Sequence, residues 1–302
     1  MNACSTPRPW GKWLAAITLM AATALAQAAE KAYTVTASDG VTIAVQEAGD
    51  PNGPPIIFIH GLLGSHLNWE QQVNSPALQR YRLITFDMRG HGMSGHPESA
   101  DAYSDGRRWA DDLAAVIQGS QARQPVVVGW SLGAAVTTNY LATYGDDKLA
   151  GIVYVGGVIE LKPDQIASHP RVYSGMASAD LKTHLDAERE FLALCFATQP
   201  DIETFQRLLA SAAMASATMQ NAVLGMSLDA PKGLGQMHKP MLVIYGARDA
   251  LVQAEPSFNR AKALNPRALG KFYADSGHAP FVEEPERFNR DVADFVNGLT
   301  SR

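Results

Sequence analysis

The run Val126-Val127-Val128-Gly129-Trp130-Ser131-Leu132-Gly133-Ala134-Ala135 decides the fold. Three valines make a short buried strand. A serine then stands between two glycines, and a helical pattern over 132–144 starts straight after it. Glycines at both ends permit a sharp strand-to-helix turn that lifts the serine hydroxyl above a sheet. The pentapeptide alone also fits an ordinary glycine-rich turn. A serine hydroxyl is a weak nucleophile without a base, so the reading depends on finding a histidine, an orienting acid and oxyanion donors elsewhere in the chain.

Outward from this stretch the chain alternates strand-like and helix-like segments from about residue 33. Tyr33–Thr36 and Val41–Val45 flank Asp39-Gly40, a hairpin signal. Unbroken apolar runs follow at Ile56–Ile59, Leu83–Phe86, Ile152–Val155 and Met241–Tyr245, as expected of strands buried on both faces of a parallel sheet. Trp109, Leu113, Val116 and Ile117 recur at helical spacing, as do Phe288, Val292, Phe295 and Val296 behind Pro285. The fold class is therefore α/β. Between Val158 and Gln236 no strand run occurs, while Leu181 to Phe196 and Ile202 to Met226 look helical. The expected division is a core of residues 29–157 and 237–302 with a helical cap over 158–236. Met176, Met214, Met219 and Met226 there, with Met237 at its border, suit an adaptable apolar lining, although each taken singly reads as core filling.

Two later segments supply the serine's partners. Tyr245-Gly246-Ala247-Arg248-Asp249 puts Asp249 at the mouth of a late strand, and Asp275-Ser276-Gly277-His278 puts His278 in a loop before the last helix. His278 would take the Ser131 proton and return it to the leaving group, while Asp249 would hold the imidazole tautomer. Asp275 is the alternative acid, but three residues' separation in a loop does not ensure contact with the ring. The oxyanion donors should be the backbone N–H of Leu132 and that of Leu62, in Phe58-Ile59-His60-Gly61-Leu62-Leu63-Gly64-Ser65. Trp130 and Leu63 are the candidate substrate contacts. His60 reads as a structural hydrogen bonder, and His66, His96, His169, His184 and His238 as surface or structural residues.

Gly90-His91-Gly92-Met93-Ser94-Gly95 matches G-x-G-x-x-G, yet His96-Pro97-Glu98-Ser99 follows instead of an apolar helix, so it reads as a turn rather than a dinucleotide site. No metal signature occurs, and no cofactor is implied. At the N-terminus, Arg8 and Lys12 precede a short apolar run to Leu25 closed by Ala26-Gln27-Ala28, the form of a secretory signal peptide over residues 1–28. Its removal predicts a periplasmic or secreted protein with no stable membrane insertion. Arg8 and Lys12 would leave with it, taking the formal charge from −5 to −7 (23 basic against 30 acidic residues), so nucleic acid is not an expected partner. Cys4 would leave too, and Cys195, in an apolar context, reads as an inert buried thiol without a disulfide partner.

Taken together, HGLLGS (60–65), FDMRGHGMS (86–94), VGWSLGAA (128–135), VIYGARD (243–249) and SGHAPFVEEPERF (276–288) resemble the α/β-hydrolase superfamily over essentially the whole mature chain. The resemblance implies a mostly parallel eight-stranded sheet flanked by helices, a cap between the sixth and seventh strands, and a structural turn formed by Asp87, Arg89 and His91. It is closest to the capped esterase and haloperoxidase-like branch. Dehalogenases and epoxide hydrolases of similar form carry aspartate where Ser131 stands. The expected function is an exported serine hydrolase cleaving a small-molecule carboxylic ester or lactone through an acyl-enzyme. The alternatives are a non-catalytic ligand receptor on the same fold and acyl transfer to hydrogen peroxide; Leu62, where perhydrolases of this kind commonly carry an aromatic residue, weighs against the latter.

Overall fold

The computed structural model of the chain describes Met1 and residues 31–300, so the signal segment expected over 1–28 lies, apart from Met1, outside the described residues. Eight strands, β1 (Lys31–Thr36), β2 (Thr42–Gly49), β3 (Pro55–Ile59), β4 (Arg82–Phe86), β5 (Val126–Trp130), β6 (Gly151–Val155), β7 (Met241–Gly246) and β8 (Leu269–Tyr273), form one sheet. Their order is β1-β2-β4-β3-β5-β6-β7-β8. Only β2 runs against its neighbours; every pairing from β4 to β8 is parallel. The unbroken apolar runs became the buried centre: every residue of β5, β6 and β7 is shielded from solvent. β8 carries no such run because it is an edge strand, with Leu269 and Phe272 exposed.

Strand order locates the site. The chain leaves β3 toward β4 on one side and reaches β5 on the other, so the sheet order reverses between β3 and β5. In open α/β sheets the crevice at the carboxyl ends of such a pair is where ligands bind. Leu62 follows β3 and Ser131 follows β5, and both therefore stand at this switch point.

Helices flank the sheet in two groups. Two short turns, α1 (Glu70–Val73) and α2 (Asp101–Ser104), precede the long α3 (Gly106–Gly119) and α4 (Leu132–Tyr144). The Asp105 side chain caps α3 by accepting from the Arg107 amide. Ten consecutive residues of α4, Leu132 to Leu141, are buried, as a central helix requires. Between β6 and β7 lie only helices: α5 (Pro170–Met176), α6 (Leu181–Leu194), α7 (Ile202–Ala212), α8 (Ala217–Ala222) and α9 (Ala230–Gly235). The single helical stretch expected over 202–226 is broken, because Ser216 caps a new helix through its side chain while its backbone N–H donates to the Gly90 carbonyl. α9 packs on α4, where a Cβ on Gly233 would lie 2.5 Å from the Thr138 carbonyl oxygen. After β7 come α10 (Ala254–Leu264), α11 (Pro280–Glu283) and α12 (Pro285–Thr300).

The turn after β4 is built on buried charge. Arg89, with no exposed surface, meets Asp112 of α3 through two bonds of 2.6 and 2.7 Å, and reaches Asp39 in the β1–β2 turn at 2.9 Å. One guanidinium thus joins the hairpin, α3 and the Ala102 carbonyl of α2. Removing it leaves a buried carboxylate without its cation, which typically costs about 3–5 kcal/mol. Chemical denaturation of Arg89→Met should show a loss of that size, whereas Asp275→Asn, at the exposed Arg248–Asp275 pair, should change stability by less than about 1 kcal/mol.

Candidate active site

Ser131 occupies the turn between β5 and α4 with φ 53° and ψ −113°, a left-handed conformation that costs a non-glycine residue about 1–3 kcal/mol. The two flanking glycines are there for space. A Cβ on Gly129 would lie 2.6 Å from the Gly133 carbonyl oxygen, and one on Gly133 would lie 2.5 Å from that of Ile59. The elbow is fastened by the Ser131 N–H, which donates to Val155 of β6 at 2.9 Å.

The expected acid and base meet. His278 Nδ1 lies 2.7 Å from Asp249 Oδ2, and both side chains are 1% exposed. The other carboxylate oxygen of Asp249 accepts from the Leu251 and Val252 amides at 2.8 and 2.9 Å, which fixes its plane. Asp275, the alternative acid, points to solvent and pairs with Arg248. The histidine loop is tied directly to the serine elbow, since the Trp130 indole N–H donates to the His278 carbonyl at 2.8 Å and the two rings lie 5.6 Å apart.

The N–H groups of Leu62 and Leu132 donate to nothing among the described residues. Leu132 opens α4, where first-turn amides have no partner inside the helix, and the helix dipole adds partial positive charge there. Gly61 lies against the serine: a Cβ there would sit 3.0 Å from Ser131 Cβ. The loop after β3 and the elbow after β5 are thus in contact.

Ser131 opens on a cavity of about 60 Å³. Leu62, Leu132, Leu251 and Val252 line it from the core, and Val158, Leu161, Ile166, Tyr173, Phe191, Val223 and Leu224 from the segment between β6 and β7. Ser131 and the Tyr173 hydroxyl bring the polar side-chain atoms of this lining. Trp130 and Leu63, expected as substrate contacts, are absent from it. Trp130 is buried as the tie just described, and Leu63 is buried at φ 59° in its loop. None of these five methionines lines the cavity; Met176, Met219, Met226 and Met237 are buried in the core, and Met214 is exposed. Cys195 is buried with its thiol pushed upward by that burial, in keeping with an inert side chain.

Behind the Leu62 loop lies a polar layer. The His60 Nε2 accepts from the Met88 amide at 2.9 Å while Nδ1 contacts the Gly61 carbonyl at 2.8 Å, so the proton sits on Nδ1 of a neutral ring. The His91 ring stands 4.9 Å from it. Asp87 accepts from the His66 amide and ring and from the Met93 amide, closing the turn between β4 and α2. His66 and His60 are accordingly structural, and the Gly90–Gly95 motif is that turn.

The family described as alpha/beta hydrolase fold matches residues 54–285. The chain belongs to the alpha/beta-hydrolase family. A Burkholderia cenocepacia protein provisionally termed an aryl esterase is 65% identical, with a TM-score of 0.89, over 90% of this hydrolase and 100% of that chain. A non-heme haloperoxidase of Rhodococcus erythropolis is 28% identical over 87% of this hydrolase and 98% of its own length. A pimeloyl-[acyl-carrier protein] methyl ester esterase of Vibrio vulnificus is 28% identical over 81% and 94%.

The buried histidines of the hydrolase predict its response to acid. Burial disfavours the imidazolium and lowers His60 from 6.5 to about 4 and His91 to about 3. Once unfolded, both rings take protons near pH 6.5, so between there and about pH 4 the unfolded chain binds more protons and stability falls as pH falls. The Asp112 carboxyl, raised by burial to about 6, acts in the opposite sense over the same window, so the check is comparative: the change in Tm between pH 6.5 and 5 should be less unfavourable in His91→Asn than in the parent protein, and an identical change in both would refute this assignment.

Proposed function

We propose that the chain is an exported serine esterase in which Ser131 attacks the ester carbonyl carbon, His278 accepts the serine proton, and Asp249 stabilises the resulting imidazolium. The amides of Leu62 and Leu132 then hold the tetrahedral oxyanion. Collapse expels the alcohol, which takes the proton from His278. Water, deprotonated by the same ring, attacks the acyl-serine carbonyl and releases the carboxylic acid with Ser131 restored. The observation that carries this reading is the serine itself: a strained elbow at the floor of an apolar cavity, tied through Trp130 to a histidine that already meets a buried carboxylate.

In this reading residues 158–236 act as a cap, and the cavity they close selects the substrate. Its volume of about 60 Å³ is far below the roughly 300–1,000 Å³ of sites for drug-sized ligands, which favours esters or lactones with one small apolar group against Ser131. No charged side chain lines the cavity among the described residues, in keeping with uncharged substrates. The aryl esterase and methyl ester esterase relatives support ester hydrolysis. The haloperoxidase relative favours a second reaction at the same centre, in which hydrogen peroxide replaces water in attacking the acyl-enzyme. Product partitioning between acid and peracid in the presence of peroxide separates the two.

A fluorophosphonate probe should label Ser131 stoichiometrically and fail to label His278→Ala. Turnover of p-nitrophenyl acetate should fall by roughly 10⁴-fold or more in Ser131→Ala. Asp249→Asn should lose most activity while Asp275→Asn keeps it, and turnover unchanged in Ser131→Ala would sink the reading. Export predicts that the protein recovered from an expressing cell's periplasm or medium begins at Ala29; N-terminal sequencing that finds Met1 there would reject cleavage at that point.

A further inference from the structure

The histidine loop and the helical insertion meet at one carboxylate. Glu283, the last residue of α11, accepts from the Gly277 amide through Oε1 and from the Thr198 amide through Oε2, each at 2.8 Å. Gly277 immediately precedes His278. Thr198 lies just beyond α6, the helix whose Phe191 lines the cavity. The segments are in direct contact as well: a Cβ on Gly277 would sit 2.6 Å from the Ala197 nitrogen and 3.1 Å from the Phe196 carbonyl carbon. Ser276 and the His278 carbonyl are held from the core side, by Glu284 at 2.6 Å and Trp130 at 2.8 Å. Glu283 instead spans to the insertion, and burial raises its carboxyl against the pull of the amides it accepts from.

We propose that Glu283 is a positioning residue that couples the seating of the insertion to the placement of His278. One oxygen fixes the peptide entering the histidine, and the other fixes the chain leaving the helix that walls the cavity. When the insertion is seated, both amides share one carboxylate and the ring is held over the site. When the segment around Thr198 moves away, the carboxylate loses one of its two anchors and the peptide before His278 loses its restraint. This rests on His278 being the base of the esterase reaction. Acting through a neighbour's geometry, the residue should affect kcat, since misplacement of a catalytic group by about 1 Å can cost on the order of 10²-fold.

Glu283→Gln keeps the shape but offers one acceptor oxygen, and its NH₂ faces the second amide. With p-nitrophenyl acetate, kcat per site titrated by fluorophosphonate should fall by between about tenfold and 10²-fold with KM little changed. Hydrogen exchange should quicken together in the peptides carrying Thr198 and Gly277. In a His278→Ala background, where residual turnover is taken per folded protein because that variant does not react with the probe, the same substitution should cost nothing further, because its effect passes through the ring. Unchanged kcat per titrated site, unchanged exchange at both peptides, or an equal loss without His278 would each overturn the proposal. Should the Gln variant not fold, Glu283→Asp, one methylene short of spanning both amides, is held to the same outcomes. Turnover that survives both Ser131→Ala and His278→Ala would instead reject the esterase reading, and the positioning role would fall with it.

Discussion

Everything in this molecule is arranged around a backbone that must turn from a buried strand into a buried helix within one residue. Ser131 takes the left-handed region to do it, and the conformation holds because its surroundings leave no other. β5 is buried throughout, α4 is buried for most of its length, and the carbonyls of Ile59 and His60 press against Gly133 from the neighbouring strand's end. Local strain of about 1–3 kcal/mol is small against such burial. Because the same crowding brings Gly61 onto Ser131, the loop after β3 has no freedom to stand elsewhere. The placements of the proposed nucleophile and of the proposed oxyanion donors are thus consequences of one packing constraint.

Charge is distributed in keeping with that constraint. Beneath the site, polar groups are nearly all committed: Asp87 to amides and His66, Arg89 to two carboxylates, His60 to Met88 and Gly61. Above it the cavity wall is almost wholly apolar. A carboxylate meeting a histidine at 2.7 Å between these layers is shielded from water. An imidazolium formed there would be stabilised by Asp249 with weak screening.

Much of this was legible in the sequence because the deciding signals are local. Glycine spacing announced the elbow, apolar runs announced β3 to β7, and loop context singled out Asp249 and His278 over Asp275. β8 was illegible as a run because an edge strand needs no continuous apolar stretch, and the break at Ser216 was hidden because its N–H bonds to Gly90, far away in sequence. Trp130 looked like a substrate contact beside the serine, yet its indole serves the histidine loop, a partner 148 residues distant. The Glu283 link was equally invisible: its two amides belong to segments that only the folded topology brings together. Pairings of high sequence separation leave no periodicity to read.

The insertion is fastened to every loop that bears on the site. Ala167 donates to Leu251 near Asp249, Ser211 meets Ser65 behind the Leu62 loop, Ser216 meets Gly90, and Thr198 meets Glu283 near His278. These ties are individually modest, since an intramolecular hydrogen bond exchanged for water nets only about 0.5–1.5 kcal/mol. The cavity face is different, because separating it from the core exposes Leu, Ile, Val and Phe surface at about 25 cal/mol per Å². Holding the insertion down is therefore mainly apolar contact around Ser131, while the polar ties set its register. An apolar group entering the cavity replaces the contact that it displaces, so occupancy and a seated insertion favour each other. A charged group entering there would lose its hydration without gaining a partner among the lining residues, so burial in this cavity disfavours it.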